Sequence, residues 1–272
     1  RPKKSAEAYQ SVWTDEGSPL LVISKKQRKA LQEALDPDVA RYKVVLAMRY
    51  GSPSIRHSLF VLRKFNARRI LVLPLYPQYS ATTTASIFDE VTAQLRNWRW
   101  LPEMRFINSY ADDPDYIRAL AASVRQHWEA HGRAQKLLFS FHGIPQDYVD
   151  KGDPYAAECH RTIHALTTEL GMSPDEWVNS FQSRLGPTQW LQPYTDETVK
   201  KLAQEGVESI DVICPGFSTD CLETIEEIGM ENKEYFIEEG GKEFNYIPAL
   251  NDSPAHIQMM KNLVLRHTQG WD

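Results

Sequence analysis

Apolar and polar positions along the chain alternate between two patterns. Short, β-branched apolar runs read as strands: KVVLAM (43–48), RILVLPL (69–75), MRFIN (104–108), KLLFSF (136–141), WVNSF (177–181), SIDVIC (209–214) and FNYIP (244–248). Amphipathic stretches between them predict helices over 18–35 and near 54–66, 84–98, 113–131, 155–170, 195–206, 220–236 and 253–265. Ser18 is placed to cap the first helix, with Pro19 at its first helical position. Regular strand–helix alternation predicts right-handed crossovers and mainly parallel sheets covered on both faces, so the fold class is α/β, doubly wound. MRYGSP (48–53) and SFHGIP (140–145) each follow a strand and share a Gly-x-Pro ending. This echo favours two smaller sheets over one large one.

In such sheets ligands bind beyond the carboxyl ends of the strands. The rule selects Arg49-Tyr50, Tyr76 to Ser80, His142, Gln182 to Arg184, and Pro215 to Glu223. His142 ends a strand in a turn, where an imidazole can serve as base or ligand, or can simply bond a neighbouring carbonyl. Tyr76, Tyr79, Trp190 and Phe217 are aromatics near the same ends; packing accounts for any one of them, and several around one cleft suit a flat aromatic ligand. Arg1, Arg49 and Arg184 are candidates to hold that ligand's carboxylates through forked hydrogen bonds.

Glu223, Glu227 and Glu231 recur every four residues on the stretch over 220–236. Like charges at this spacing cost a few tenths of a kcal/mol per pair, roughly. Asp220-x-x-Glu223 has the spacing of a capping box, and a solvated acidic face accounts for the rest. A wider, π-type winding would straighten the row, and such windings favour functional sites.

Composition narrows the function. The chain has 272 residues, 42% hydrophobic and 25% charged, enough for one large or two medium domains with real cores. A net charge of −5 without a basic block gives no footprint for nucleic acid. Three cysteines (Cys159, Cys214 and Cys221) without a CxxC pair exclude a disulfide framework or a structural zinc site, and fit a reducing cytoplasmic setting. No apolar run has transmembrane length and no apolar leader is present, while contact with a membrane surface through a local patch stays open. GxGxxG, GxxxxGK[ST] and GxSxG are absent, which counts against nucleotide enzymes and serine hydrolases.

Read together, LPLYPQYSATTT (73–84), SFHGIP (140–145), FQSRLGPTQWLQPYTDET (181–198), CPGFSTDCLETIEEI (214–228) and IPALND (247–252) resemble the ferrochelatases, most closely the proteobacterial ones. The resemblance implies two Rossmann-like, chelatase-type domains with a porphyrin cleft between them. The first would span 1–112, completed by the C-terminal helix at 253–272; the second, 113–252, would carry His142 and Glu223. It implies insertion of ferrous iron into protoporphyrin IX with release of two protons. His142 and Glu223 would be the catalytic and metal-contacting pair. Asp220, Glu227 and Glu231 would relay protons or metal. Arg1, Ser18, Arg49, Tyr50, Tyr76, Trp190 and Phe217 would contact the macrocycle or its propionates. Fe²⁺ is then a substrate, no cofactor is required, and three cysteines do not suffice for the [2Fe–2S] cluster of vertebrate members. A monomer is the favoured oligomeric state. The family's usual first strand and LGTP-like turn have no counterpart in this sequence, and Cys221 stands where many members have histidine. Another tetrapyrrole and metal (coproporphyrin with iron, sirohydrochlorin with cobalt), a non-catalytic tetrapyrrole carrier and a two-lobed solute-binding protein are the alternatives.

Overall fold

Several helices start where a small polar residue precedes proline. The computed structural model, which describes residues 12–271, has α1 at Pro19–Leu35, α4 at Pro114–His131 and α9 at Pro254–His267. Ser18, Asp113 and Ser253 accept backbone N–H bonds in their first turns. Proline has no N–H to waste there and its φ is already helical. The other elements follow in order: α2 (Ile55–Lys64), β1 (Arg69–Val72), a short π-turn (Ala81–Ala85) leading into α3 (Ser86–Leu95), β2 (Glu103–Phe106), β3 (Lys136–His142), α5 (Gln146–Asp150), α6 (Tyr155–Leu170), a 3₁₀ turn (Pro174–Glu176), β4 (Trp177–Gln182), α7 (Thr195–Gln204), β5 (Ser209–Ile213), the long π-helix (Glu223–Asn232), α8 (Lys233–Glu238) and β6 (Glu243–Ile247).

Among the described residues the strands form two parallel sheets. One pairs β1 with β2; the other has the order β4-β3-β5-β6, with Phe139 opposite both Asn179 and Ile213, and Ile213 opposite Ile247. β3 lies at the centre, and its side chains divide between two cores. Leu137, Phe139 and Phe141 pack with α4, α6 and α9 residues such as Val124, Ile163 and Met260. Leu138 faces the other way, with Val199, Leu202, Val212, Ile228 and Phe236. Burial on both faces is why this run shows no polar alternation until Ser140. A third cluster, with Ile55, Leu59, Ile70 and Val91, lies between α2, α3 and β1.

The expected strand at 43–48 is a correction. These residues form no ladder; Met48 makes an isolated bridge to Ser54 and its N–H bonds Pro53 O at 2.7 Å. An apolar run becomes a strand only beside another strand, and no described strand adjoins it. Val44 N–H instead bonds Gln32 Oε1 at 2.7 Å. Half-buried Val44, Val45 and Leu46 line an apolar trough together with the β1 residues Ile70 to Val72.

No helix among the described residues is long and apolar enough to cross a membrane. The three cysteines are buried and unpaired.

Candidate active site

The trough is part of one continuous cavity whose volume, trough included, is about 1640 Å³. Four of the five strand-end segments meet there: Arg49-Tyr50, Tyr76 with Gln78 and Ser80, His142, and Gly216 to Thr219 with Cys221 and Glu223. Ile144, Pro145, Tyr148 and Trp190 complete that end.

His142 is the last residue of β3, half-buried at the cavity wall. Its Nδ1 lies 2.7 Å from Gly143 O. A carbonyl can only accept, so Nδ1 carries the proton, and in the neutral ring Nε2 is left with a lone pair. The His142 carbonyl is fixed from behind by the buried Tyr155 hydroxyl at 2.9 Å. Two aromatic rings flank the imidazole: Trp190, with centroids 6.5 Å apart, and Phe217, at 6.4 Å. Trp190 is held by Nε1–H to Leu185 O (2.9 Å), and its segment is stitched to the β3 exit by Leu191 N–H to Ile144 O (2.9 Å).

Glu223 opens the π-helix, and the winding follows from the sequence. The buried residues Thr224, Ile228, Asn232 and Phe236 recur every four positions. So do Glu223, Glu227 and Glu231. An α-helix would drift across both rows, whereas the wider turn, with hydrogen bonds five residues apart, keeps each on one side. Asn232 Nδ2 supports it by donating to Glu227 O, five residues back, at 2.7 Å.

The three glutamates have different surroundings. Glu223 lines the cavity next to Cys221, whose thiol is driven far up by burial and then by the Glu223 carboxylate. Tyr76, 40% exposed, lines the same cavity, and its phenol is raised by desolvation of its inner part first and then by Cys221, Tyr50 and Glu223. Glu227 accepts Ser183 N–H (2.7 Å), Ser183 Oγ–H (2.5 Å) and Gln182 Nε2–H (3.3 Å). Burial nevertheless raises its pKa; the Ser183 and Gln182 bonds and the field of His142 pull the other way. Glu231 accepts the Tyr235 hydroxyl at 2.9 Å. The solvated acidic face expected from spacing is therefore not what Glu227 presents.

The capping box is a second correction. Asp220 does not cap the helix; its carboxylate takes Thr224 Oγ1–H (3.1 Å), Tyr246 O–H (2.7 Å), Ala249 N–H (3.2 Å) and Asn251 Nδ2–H (2.7 Å). It ties the start of the π-helix to the loop after β6 and does not line the cavity. Arg184 is the third. Its Nη1 reaches Glu197 at 2.8 Å, its Nη2 reaches Asp196 at 2.9 Å, and it stacks on Tyr194. The Gln182–Arg184 segment thus faces Glu227 and α7, not the cavity. Ser18 spends its hydroxyl on the Leu21 N–H at 3.4 Å and is not at the cavity wall. Arg1 lies outside the described residues. Arg49 does line the cavity, with Nε on Ser86 Oγ at 2.8 Å and its guanidinium over exposed Tyr50.

Sequence reasoning missed the supports of these groups. Gln182 is set by Ser140 Oγ–H to its Oε1 (2.8 Å), so its amide points at Glu223 O (2.8 Å) and Glu227. Glycine at 143 was legible as a turn but not as a contact. A Cβ there would stand 3.0 Å from Gln182 O and 3.2 Å from the Trp190 ring.

A doubly wound α/β chain with a strand-end imidazole and a carboxylate facing an aromatic-walled cavity has the build of a chelatase. SirB from Bacillus subtilis, solved with Fe³⁺, superposes with TM-score 0.63 at 14% identity, covering 91% of each chain. The sirohydrochlorin chelatase SirB of Bacillus subtilis subspecies spizizenii, in complex with cobalt, gives 0.61 at 12%, covering 92% of each. At these identities the likeness concerns the fold alone. The family follows from sequence: the ferrochelatase family model matches residues 1–268. Ferrochelatases of Thioalkalivibrio sulfidiphilus and Marinobacter nauticus are 55% and 54% identical over the whole chain, which spans 74% of each relative's length. The chain belongs to the ferrochelatase family, whose reaction puts iron into protoporphyrin for heme synthesis.

Proposed function

We propose that protoporphyrin lies in the cavity between the aromatic walls and that His142 and Glu223 carry out the exchange of two pyrrole protons for Fe²⁺. The observation that carries this reading is the 2.7 Å contact of His142 Nδ1 with the Gly143 carbonyl at the cavity wall. With Nδ1–H on the Gly143 carbonyl, the Nε2 lone pair is left to accept a proton or meet the incoming metal. Glu223 supplies a carboxylate for the other role. Trp190 and Phe217 give the macrocycle flat apolar faces, and favouring a bent ring over a planar one would expose its nitrogen lone pairs. Arg49, Tyr50 and Tyr76 contact the ring edge or its propionates.

In this reading Glu227 takes protons or metal from the Glu223 end and passes them toward Glu231. Asp220 positions the π-helix that carries the row. Residues 1–112 with 253–272, and 113–252, act as two lobes around the porphyrin. Iron is substrate, and no resident cofactor enters. Buried free thiols fit a reducing, cytoplasmic compartment.

The test is visible absorbance with protoporphyrin and Zn²⁺ or anaerobic Fe²⁺, run beside sirohydrochlorin and Co²⁺. Conversion of protoporphyrin supports the reading. A shifted but stable porphyrin spectrum would make the chain a carrier, and preferential conversion of sirohydrochlorin would change the substrate.

A further inference from the structure

Glu158 is a buried carboxylate with no part in the chemistry above. It lies on α6, 8% exposed, and its Oε2 accepts two short bonds from the other half of the chain: Tyr79 N–H and Ser109 Oγ–H, each 2.6 Å. Arg161, its nearest cation, stands 3.9 Å from the other oxygen and is engaged with Asp112. Two further contacts follow the same line. Asp153 Oδ2 accepts Ser80 Oγ–H at 2.9 Å and Ala81 N–H at 2.8 Å, and Gln78 Nε2–H donates to Thr162 Oγ1 at 2.8 Å. Each residue of the 78–81 segment is thus held by a group from residues 153–162. That segment follows Tyr76 after one residue, Pro77, and Tyr76 lines the cavity together with Cys221 and Glu223.

We infer that Glu158, with Asp153, is a positioning clamp that sets the Tyr76–Ser80 wall of the porphyrin site against the lobe carrying His142 and Glu223. A carboxylate suits this role because a charge-assisted bond to a backbone N–H is stronger and more directional than a neutral one. A buried glutamate at this seam otherwise brings only desolvation cost. The inference rests on the porphyrin site proposed above. Without the clamp the wall is loose, and binding must supply the cost of ordering it. Affinity for porphyrin then falls while the chemistry at His142 is untouched.

The test compares Glu158→Ala, Glu158→Gln and Ser109→Ala with the wild-type chain. Porphyrin Kd is read by absorbance without metal, turnover by Zn²⁺ insertion, and loop order by amide hydrogen exchange. Glu158→Ala is expected to raise porphyrin Kd and KM on the order of tenfold, the equivalent of one hydrogen bond to a charged group, with kcat and metal KM near wild type. Exchange should quicken at residues 76–81. Glu158→Gln keeps an acceptor and should return within about threefold. Ser109→Ala, which removes one donor and leaves the carboxylate, should raise Kd about two- to threefold and remains readable if Glu158→Ala does not fold. A folded Glu158→Ala, or failing that Ser109→Ala, with unchanged Kd and unchanged exchange at 76–81 overturns the inference. If the wild type binds porphyrin without converting it, the catalytic reading fails while the Kd comparison still decides the clamp. If it binds no porphyrin, the site reading fails and exchange alone decides.

Discussion

Gly143→Ala adds one methyl group between the catalytic strand and the aromatic wall. The new Cβ would sit 3.0 Å from the Gln182 carbonyl oxygen, 3.2 Å from Trp190 Cε3 and 3.8 Å from Phe181 Cβ. Carbon contacts prefer about 3.5–4.0 Å, so something must retreat by a few tenths of an ångström. The Gln182 carbonyl is poorly placed to do so, because it accepts Gly143 N–H at 2.8 Å across the β3–β4 seam. Phe181 is buried in the core. The Trp190 ring, on an exposed loop, is the neighbour that gives, and it moves away from its 6.5 Å packing on His142. Overpacking of this kind costs about 1–3 kcal/mol, or roughly 2–5 °C in Tm for a protein of this size. Thermal unfolding reads the strain, and porphyrin titration followed by absorbance reads the displaced wall. We expect a lower Tm together with a porphyrin Kd raised on the order of tenfold. A Tm within about 1 °C of wild type and an unchanged Kd would refute both the close packing and the place of Trp190 in the site.

Two predictions concern the ground beneath the site. Glu227→Ala leaves Ser183 N–H and Oγ–H without their acceptor, and should lower the urea unfolding free energy by about 2 kcal/mol; Glu227→Gln, which keeps an acceptor and has no charge to desolvate, should stay within about 1 kcal/mol. His256 is buried with Nδ1–H on Asn251 O at 2.6 Å, and burial pushes its pKa from 6.5 down to about 4. The unfolded chain therefore binds the extra proton between these values, so His256 stabilises the fold above pH 6.5 and that stability is lost as pH falls toward 4. The loss amounts to about 3 kcal/mol, and a stability-versus-pH curve of His256→Gln should be correspondingly flatter over this window. Equal slopes in the two proteins would contradict it.

Much of this architecture was legible in the chain because local pattern and tertiary outcome agree. The β3 run is buried on both faces and reads as such, and Ser18-Pro19 marks a helix start that forms. The run at 43–48 failed because strand character is a property of a pair, and pattern alone cannot supply the neighbour. Arg184 failed for a related reason: its partners, Asp196 and Glu197, lie on a helix that only the fold brings beside it. The acidic row was seen, and a π-winding was entertained, but only packing separates a Glu227 gripped by Ser183 from an exposed one. Glu158 carries no signal, and Gln182 showed only as the end of a strand. Their roles consist of hydrogen bonds across 79 and 41 residues of sequence.

The central claim is that His142 and Glu223 perform the exchange inside a cavity built to bind porphyrin without them. The most direct measurement is Zn²⁺ insertion into protoporphyrin by His142→Ala and Glu223→Gln, with porphyrin Kd determined on the same preparations. The account predicts that each variant binds porphyrin within about threefold of wild type and that insertion is abolished. Near-normal turnover in either variant would contradict it.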